Sequence, residues 1–68
     1  MDGFKDGLRD GRLDAQIGRR SEYAWAGESL DPAGSYGYDY SRGYKYGQQV
    51  VQAVQAGSER LLKAVEDA

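Results

Sequence analysis

The chain has 68 residues, enough for one small domain, and its nine basic and eleven acidic side chains give a formal charge of −2. This mild acidity excludes a bulk nucleic-acid binder and a polyanionic nucleic-acid mimic. The sequence has no cysteine and no histidine, which removes disulfides, thiol nucleophiles and the commonest metal ligand and general base. No apolar run approaches the roughly 20 residues of a membrane span, and no secretory signal pattern is present. We therefore expect a cytoplasmic protein.

The first segment, residues 2–20, repeats a four-residue unit that begins with aspartate: Asp-Gly-Phe-Lys, Asp-Gly-Leu-Arg, Asp-Gly-Arg-Leu, Asp-Ala-Gln-Ile. At about 100° per residue this pattern predicts helix 1, with Gly7 and Gly11 on a smooth face between a basic and an acidic stripe. Each interior glycine costs about 1 kcal/mol relative to alanine, so their repetition predicts close helix packing of the GxxxG type. The acidic stripe is expected to be a solvated face; it comprises Asp2, Asp6, Asp10 and Asp14.

Residues 21–35 are expected to form a connector. Ser21 to Ala26 would extend helix 1 or form its own turn, which Gly27 would end. Asp31 and Pro32 have the pattern of an N-cap followed by proline at the first helical position. Trp25 is expected to fold back over the helices, with an exposed partner anchor as the alternative.

A second, long helix is predicted over residues 36–66, because apolar residues and glycines recur along one band. Glutamines and charges, among them Gln48, occupy the opposite side, and Gly57 is the point where the helix could kink. The band includes the packing glycines Gly43 and Gly47 and comprises Tyr36, Tyr40, Gly43, Tyr44, Gly47, Val50, Val51, Val54, Ser58, Leu61, Leu62 and Val65.

A β-hairpin is the alternative for residues 36–47. Tyrosines alternate with other residues on both sides of a short Ser-Arg-Gly loop, and Gly43 lies where a bulged hairpin needs a left-handed residue. An isolated two-stranded hairpin is only marginally stable, and the apolar band continues past the tyrosines without a change of phase. The helix is therefore the preferred prediction.

The predicted fold is an all-α helical hairpin with a long amphipathic second helix. If the two helices pair antiparallel, helix 1 covers the long helix only to about Val54. Burying an apolar side chain is worth about 1.5–3 kcal/mol, so the uncovered residues should be covered by a second copy of the chain, by a tail folded back at a kink at Gly57, or by the groove of a partner. Self-association is the preferred prediction. We expect a homodimer whose interface includes Val54, Leu61, Leu62 and Val65.

The sequence predicts partner contacts at side chains outside the packing faces. Tyr38 and Tyr46 should be exposed on the long helix, with Arg42 between them, and tyrosine offers large contact area at low entropic cost. Arg9 and Arg12 belong to the basic stripe of helix 1. A direct nucleic-acid contact through this stripe is the weaker alternative, because the acidic stripe beside it opposes a phosphate backbone.

The residue set does not favour catalysis. The serines have no histidine to activate them, and there is no cysteine nucleophile. A ladder of aspartates on one helix does not converge on a cavity, as a divalent cation requires. We therefore expect no enzymatic activity, no cofactor and no metal.

Two motifs resemble the ribosome modulation factor family: Gly3-Phe4-x-x-Gly7-x-x-x-Gly11, and Tyr40-x-x-Gly43-Tyr44-x-x-Gly47. The resemblance implies a Gly-aromatic helix, a connector and an aromatic-x-x-Gly-aromatic helix, in a small protein that binds the ribosome and promotes its hibernation. This chain differs from the family in being acidic rather than basic, and it lacks the family's Pro-Tyr connector signature.

Together these features favour a non-enzymatic binding protein that occludes a host protein or nucleoprotein complex. Small phage and mobile-element inhibitors of host defence or gene expression are similar to it in style. A ribosome-associated factor and a structural subunit of a filament or virion are the alternatives. A homo-oligomer is expected, and no membrane contact is expected.

Overall fold

A computed structural model describes the backbone of residues 2–67 and the side chains of residues 2–57. Within this part the chain forms three helices and no strand: α1 (Gly3–Gln16), α2 (Glu22–Leu30) and α3 (Tyr36–Asp67). The all-α class is confirmed, and the alternative β-hairpin is wrong because residues 36–47 belong to α3. The longest dimension, 51 Å, agrees with the length of about 48 Å expected for the 32-residue α3.

Helix α1 is closed at both ends by local hydrogen bonds. The Asp2 carboxylate accepts from the backbone amides of Phe4 at 3.1 Å and Lys5 at 3.3 Å, as an N-cap does. At the other end Gly18 adopts a positive φ of 72°, and the Arg19 amide donates to the Asp14 carbonyl at 2.8 Å. This left-handed glycine cap ends the helix at Gln16, short of the predicted Arg20.

The segment expected to be a connector contains a helix, so that prediction is wrong for residues 22–30. Ser21 caps α2, accepting from the Ala24 amide at 3.2 Å. Gly27 lies within α2 rather than at its end. It packs against α3, where a Cβ added to Gly27 would lie 2.8 Å from the Gly37 carbonyl oxygen. Asp31 does not cap α3 either. Its amide closes α2 on the Gly27 carbonyl at 2.9 Å, and its carboxylate lies against Gly37.

Helix α3 begins at Tyr36, as predicted. The Ser35 hydroxyl accepts from the Tyr38 amide at 3.2 Å and so supplies the cap. The helix continues across Gly57 to Asp67 without interruption, although Gly57 was the expected point of a kink.

Helices α1 and α3 run parallel, so the expected antiparallel hairpin of these two helices is wrong. Gly3 lies against Tyr36, Gly7 against Tyr40 and Gly11 against Tyr44, so the two helices run in the same direction. From α3, Gly43 lies against Phe4 and Leu8, and Gly47 against Leu8 and Arg12. The parallel packing of α1 and α3 is possible because α2 lies between them in the sequence. Helix α2 runs antiparallel to α3 and so returns the chain before α3 begins.

The parallel register creates a ladder of tyrosine–aspartate hydrogen bonds, here called the Tyr–Asp ladder. The hydroxyl of Tyr36 donates to Asp6 at 2.6 Å, Tyr40 to Asp10 at 2.5 Å and Tyr44 to Asp14 at 2.5 Å. Successive rings stack, with centroids 6.1 and 6.3 Å apart. The expectation of a purely solvated acidic stripe is therefore wrong for these three aspartates, because the matching four-residue periods bring each one to a tyrosine.

Burial and the bonds of the ladder together raise the pKa of all three tyrosines. Burial is the largest cause for Tyr40 and Tyr44, followed by the hydrogen bonds to Asp10 and Asp14. For Tyr36 the hydrogen bond to Asp6 is the largest cause. The neutral hydroxyl is therefore the form that the fold favours in each case.

The small core lies where α1 and α2 both meet α3. Tyr44 is only 1% exposed, and Ser41, Ala24 and Val51 are buried around it. Gln48 is also buried, against the expectation that it faces solvent. Its amide donates to the carbonyls of Gly11 at 3.1 Å and Arg19 at 3.0 Å, which satisfies the group inside the core.

Candidate functional site

A stripe of three side chains runs along α3 on the side away from the Tyr–Asp ladder. Tyr38, Arg42 and Tyr46 lie four residues apart, and each is two residues from a ladder tyrosine, about 200° around the helix. The Arg42 guanidinium carbon lies 5.9 Å from the Tyr38 ring centroid. Tyr46 is 54% exposed, as predicted, and Arg42 is exposed. The predicted exposure is wrong for Tyr38, which is half-buried.

Phe4 of α1 completes this surface, which is here called the back face (Phe4, Tyr38, Arg42 and Tyr46). The rings of Phe4 and Tyr46 lie 6.1 Å apart at an interplanar angle of 44°, and Phe4 is 37% exposed. Sequence reasoning missed Phe4 because its spacing from Gly7 and Gly11 is that of the packing face of helix 1. Phe4 lies at the edge of that face, where its backbone contacts Gly43 and its ring remains accessible.

The back face encloses a groove of about 410 Å³ between Phe4 of α1 and Glu28 of α2. Lys45, on its floor, is paired with Glu28 at 2.8 Å, and this hydrogen bond holds the pKa of Glu28 below its usual value. Arg42 forms no ion pair with any carboxylate among the described side chains. The groove therefore offers aromatic surface together with one cationic group that is available to a ligand.

Arg9 and Arg12 lie elsewhere. Both are exposed on α1, where Arg9 forms a 3.3 Å ion pair with Asp10. They line a separate depression of about 290 Å³ with Lys5, Leu8, Leu13 and Gln16, and it shares no residue with the back-face groove. The structure thus brings Tyr38, Arg42 and Tyr46 together and does not join the two arginines of α1 to them.

The residues predicted for packing and self-association fall in different parts of the molecule. Gly7, Gly11, Gly43 and Gly47 lie at the contact between α1 and α3. Val54 is 63% exposed on α3 beyond the end of α1. The side chains of Leu61, Leu62 and Val65 lie outside the described residues.

A second cleft lies on the ladder side of the molecule, because α1 and α2 each pack against α3 but scarcely touch one another. It consists of cavities of about 410 and 280 Å³ that share Ser21 and Tyr40. We call this cleft the front groove. Tyr36, Tyr40 and Tyr44 line it along α3, and Leu13 of α1 and Tyr23 and Leu30 of α2 line its sides.

Two hydroxyls near the core have structural partners, whereas the buried indole Nε1 of Trp25 has no hydrogen-bond partner among the described residues. The Ser41 hydroxyl donates to the Trp25 carbonyl at 3.2 Å, and the Ser21 hydroxyl caps α2. Trp25 is half-buried beneath the cations of Arg20 and Lys45, which lie 4.6 and 5.2 Å from its ring centroid. Among the residues that the structure describes, no cluster of acidic side chains has the arrangement to hold a metal ion. No helix in that part of the chain has both the length and the apolarity needed to cross a bilayer.

No family model, curated protein or solved structure matches this chain. The role of the back face is therefore inferred from its contacts and chemistry.

Proposed function

We propose that this chain is a non-enzymatic binding protein that docks on a larger protein or nucleoprotein complex through its back face and occludes the surface it covers. The observation that supports this proposal is the exposure of two aromatic rings, Phe4 and Tyr46, and of Arg42 on one side of the packed helices α1 and α3, with the half-buried Tyr38 beside them. Aromatic and arginine side chains contribute most of the binding energy at many protein interfaces.

The chemistry of the back face specifies the kind of surface it fits. Phe4 and Tyr46 present apolar ring area, and the Arg42 guanidinium presents a cation that forms no ion pair with a carboxylate among the described side chains. The complementary surface carries an apolar side chain beside a carboxylate. Tyrosine and phenylalanine have few rotatable bonds, so ordering them on binding costs little entropy.

Self-association is the second part of the proposal. Val54 is 63% exposed, one helical turn beyond the half-buried Val50, and the sequence continues the same stripe with Leu61, Leu62 and Val65. An apolar stripe of this length on a free helix favours a contact with a second copy. The back face lies on the first half of α3, so the two contacts are compatible.

Affinity capture from a lysate of the source cells, at low and high salt, tests the back face. The double variant Arg42→Ala/Tyr46→Ala should lose a stoichiometric complex that the parent chain retains, because both side chains are exposed and their removal leaves the core intact. Arg9→Ala is the matched control, since it removes an exposed arginine from another face. Circular dichroism of each variant verifies that the helices are unchanged.

Four results would contradict the proposed site or function. Equal capture by the double variant and the parent would show that the back face is not the contact, and loss with Arg9→Ala alone would assign the contact to the stripe on α1. Salt-sensitive recovery of ribosomal RNA, abolished by nuclease, would favour the ribosome-associated alternative. Growth into large oligomers without a captured partner would favour a structural subunit.

A further inference from the structure

We propose that the front groove receives the C-terminal half of α3 from a second copy of the chain, so that two molecules exchange their long helices reciprocally. This inference rests on the proposed self-association and adds to it a specific receptor surface.

The front groove has the composition of a helix-binding cleft. Tyr36 and Tyr40 line its base. On the α2 side, Ala24 and Gly27 are small and leave space, and Leu30 and Tyr23 lie at the edge. Leu30 is 78% exposed and Tyr23 is 92% exposed, although α2 packs against α3. An amphipathic helix that lies in such a cleft covers these side chains with its apolar face.

The C-terminal half of α3 has the complementary form. Arg12 lies beside Gly47, and the end of α1 and the turn after it line one cavity with Gln48, Gln52 and Gln55, so they reach the level of residue 55 of α3. Residues 56–67 continue α3 as a helix of about 18 Å. Val54 is 63% exposed and begins an apolar stripe, which the sequence continues at helical spacing into this part of α3.

The occupant must come from a second copy because α3 is unbroken from Tyr36 to Asp67. A continuous helix carries its C-terminal half away from its own front groove. If two copies cross antiparallel midway between Val51 and Val54, residues 61–65 of one molecule lie level with residues 40–44 of the other. The arrangement is a closed twofold dimer, in which the front groove of each molecule binds the C-terminal half of α3 of the other.

Sedimentation velocity over a concentration series, with one substitution on each side of the contact, tests this proposal. Leu30→Glu in the groove and Val54→Glu on the helix should each weaken dimerisation at least about tenfold, because each places a charge in an apolar contact. Tyr23→Glu is a second groove variant at a position that is almost fully exposed in the single copy. Ser29→Glu, adjacent to Leu30 but not lining the groove, should dimerise like the parent.

The possible results separate the inference from the proposed self-association. If Val54→Glu dissociates the dimer while Leu30→Glu and Tyr23→Glu do not, the two long helices pair with each other and the groove proposal is wrong. If the parent chain is a monomer at every concentration, the self-association is itself wrong. Retained helicity in each variant, measured by circular dichroism, shows that a loss of dimer is not a loss of fold.

Discussion

The hydroxyl of Tyr44 joins all three helical segments. It donates to the Asp14 carboxylate of α1 at 2.5 Å and accepts from the Ser21 amide at the start of α2 at 2.8 Å, while its ring is buried on α3. Removing a buried hydrogen-bonding group leaves its partners unsatisfied, at a cost of about 1–3 kcal/mol. The position of α2 therefore depends on a group that the sequence pattern assigned simply to an apolar band.

Tyr44→Phe tests this role. We expect the free energy of unfolding to fall by about 1–3 kcal/mol in urea denaturation, since both Asp14 and the Ser21 amide lose a partner. Tyr23→Phe is the control, because that side chain is almost fully exposed and forms no described hydrogen bond. Equal stability of the two variants would contradict the structural role of the Tyr44 hydroxyl.

The Tyr–Asp ladder also predicts a pH dependence of stability. The pKa of Tyr40 is raised in the folded state by burial and by its bond to Asp10, so the neutral form is favoured there. A raised folded pKa gives stability that is fully present below the unfolded pKa, about 10, and that is lost as the pH rises through the folded value. The parent should therefore lose stability above about pH 10.

Urea unfolding of the parent and of Tyr40→Phe at a series of pH values measures this contribution. The stability difference between the two proteins should be constant at neutral pH and should shrink above about pH 10, because phenylalanine has no proton to lose. A difference that stays constant to about pH 11 would show that neither burial nor the hydrogen bond to Asp10 raises the pKa of Tyr40 in the folded state.

Between whole helices, the contact of α1 with α3 is made by backbone rather than by large side chains. A Cβ on Gly7 would lie 2.8 Å from the Tyr40 carbonyl carbon and from the Tyr44 amide nitrogen. Backbone atoms cannot rotate away as a side chain can, so the two helices would have to separate. That separation would also lengthen the bonds of the Tyr–Asp ladder.

Gly7→Ala is therefore expected to destabilise the protein by about 1–3 kcal/mol or more, despite the higher helix propensity of alanine. Gly57→Ala provides a matched control within α3, because a Cβ there meets no other atom within 4 Å. That variant should gain up to about 1 kcal/mol. Thermal unfolding of both variants measures the two effects, and a stable Gly7→Ala protein would contradict the close approach of the helices.

The helices themselves were predictable to different degrees. The four-residue period of α1 and the apolar band of α3 identify both elements, because each pattern repeats over several turns. Helix α2 was missed because its pattern is short, and Gly27 was interpreted as a helix end. In the structure Gly27 allows close contact with Gly37 and Ser41, so tertiary packing overrides its low helix propensity.

The direction of α1 could not be obtained from helical wheels, because a glycine stripe has the same form in parallel and antiparallel pairs. A relevant signal was nevertheless present. The period of Asp6, Asp10 and Asp14 matches that of Tyr36, Tyr40 and Tyr44, and only a parallel register pairs all three in order. Recognising it requires knowing that the aspartates and tyrosines bond to each other, which neither segment reveals alone.

For the molecule as a whole, the three-helix arrangement leaves two open sides on α3. The back face and the front groove lie on opposite sides because α1 and α2 pack on neighbouring faces of α3 and scarcely touch each other. Four-residue spacing was sufficient to place Tyr38, Arg42 and Tyr46 on one stripe. It could not reveal that Phe4 joins this stripe, nor that Arg9 and Arg12 lie apart from it, because both facts depend on how α1 docks on α3.

The parallel alignment of α1 on α3 is the central claim, because it produces the ladder and both open sides. The distance between two spin labels tests it directly, and the absence of native cysteine makes labelling specific. Cysteines introduced at Lys5 of α1 and at either Arg42 or Gln55 of α3 carry the two labels. Each doubly labelled chain is diluted with unlabelled chain, which suppresses distances between copies.

Parallel alignment predicts that the Lys5–Arg42 distance is the shorter one, since Gln55 lies on the order of 20 Å further along α3 than Arg42. A Lys5–Gln55 distance shorter than Lys5–Arg42 would mean that α1 and α3 are antiparallel, and it would contradict the ladder and both proposed surfaces.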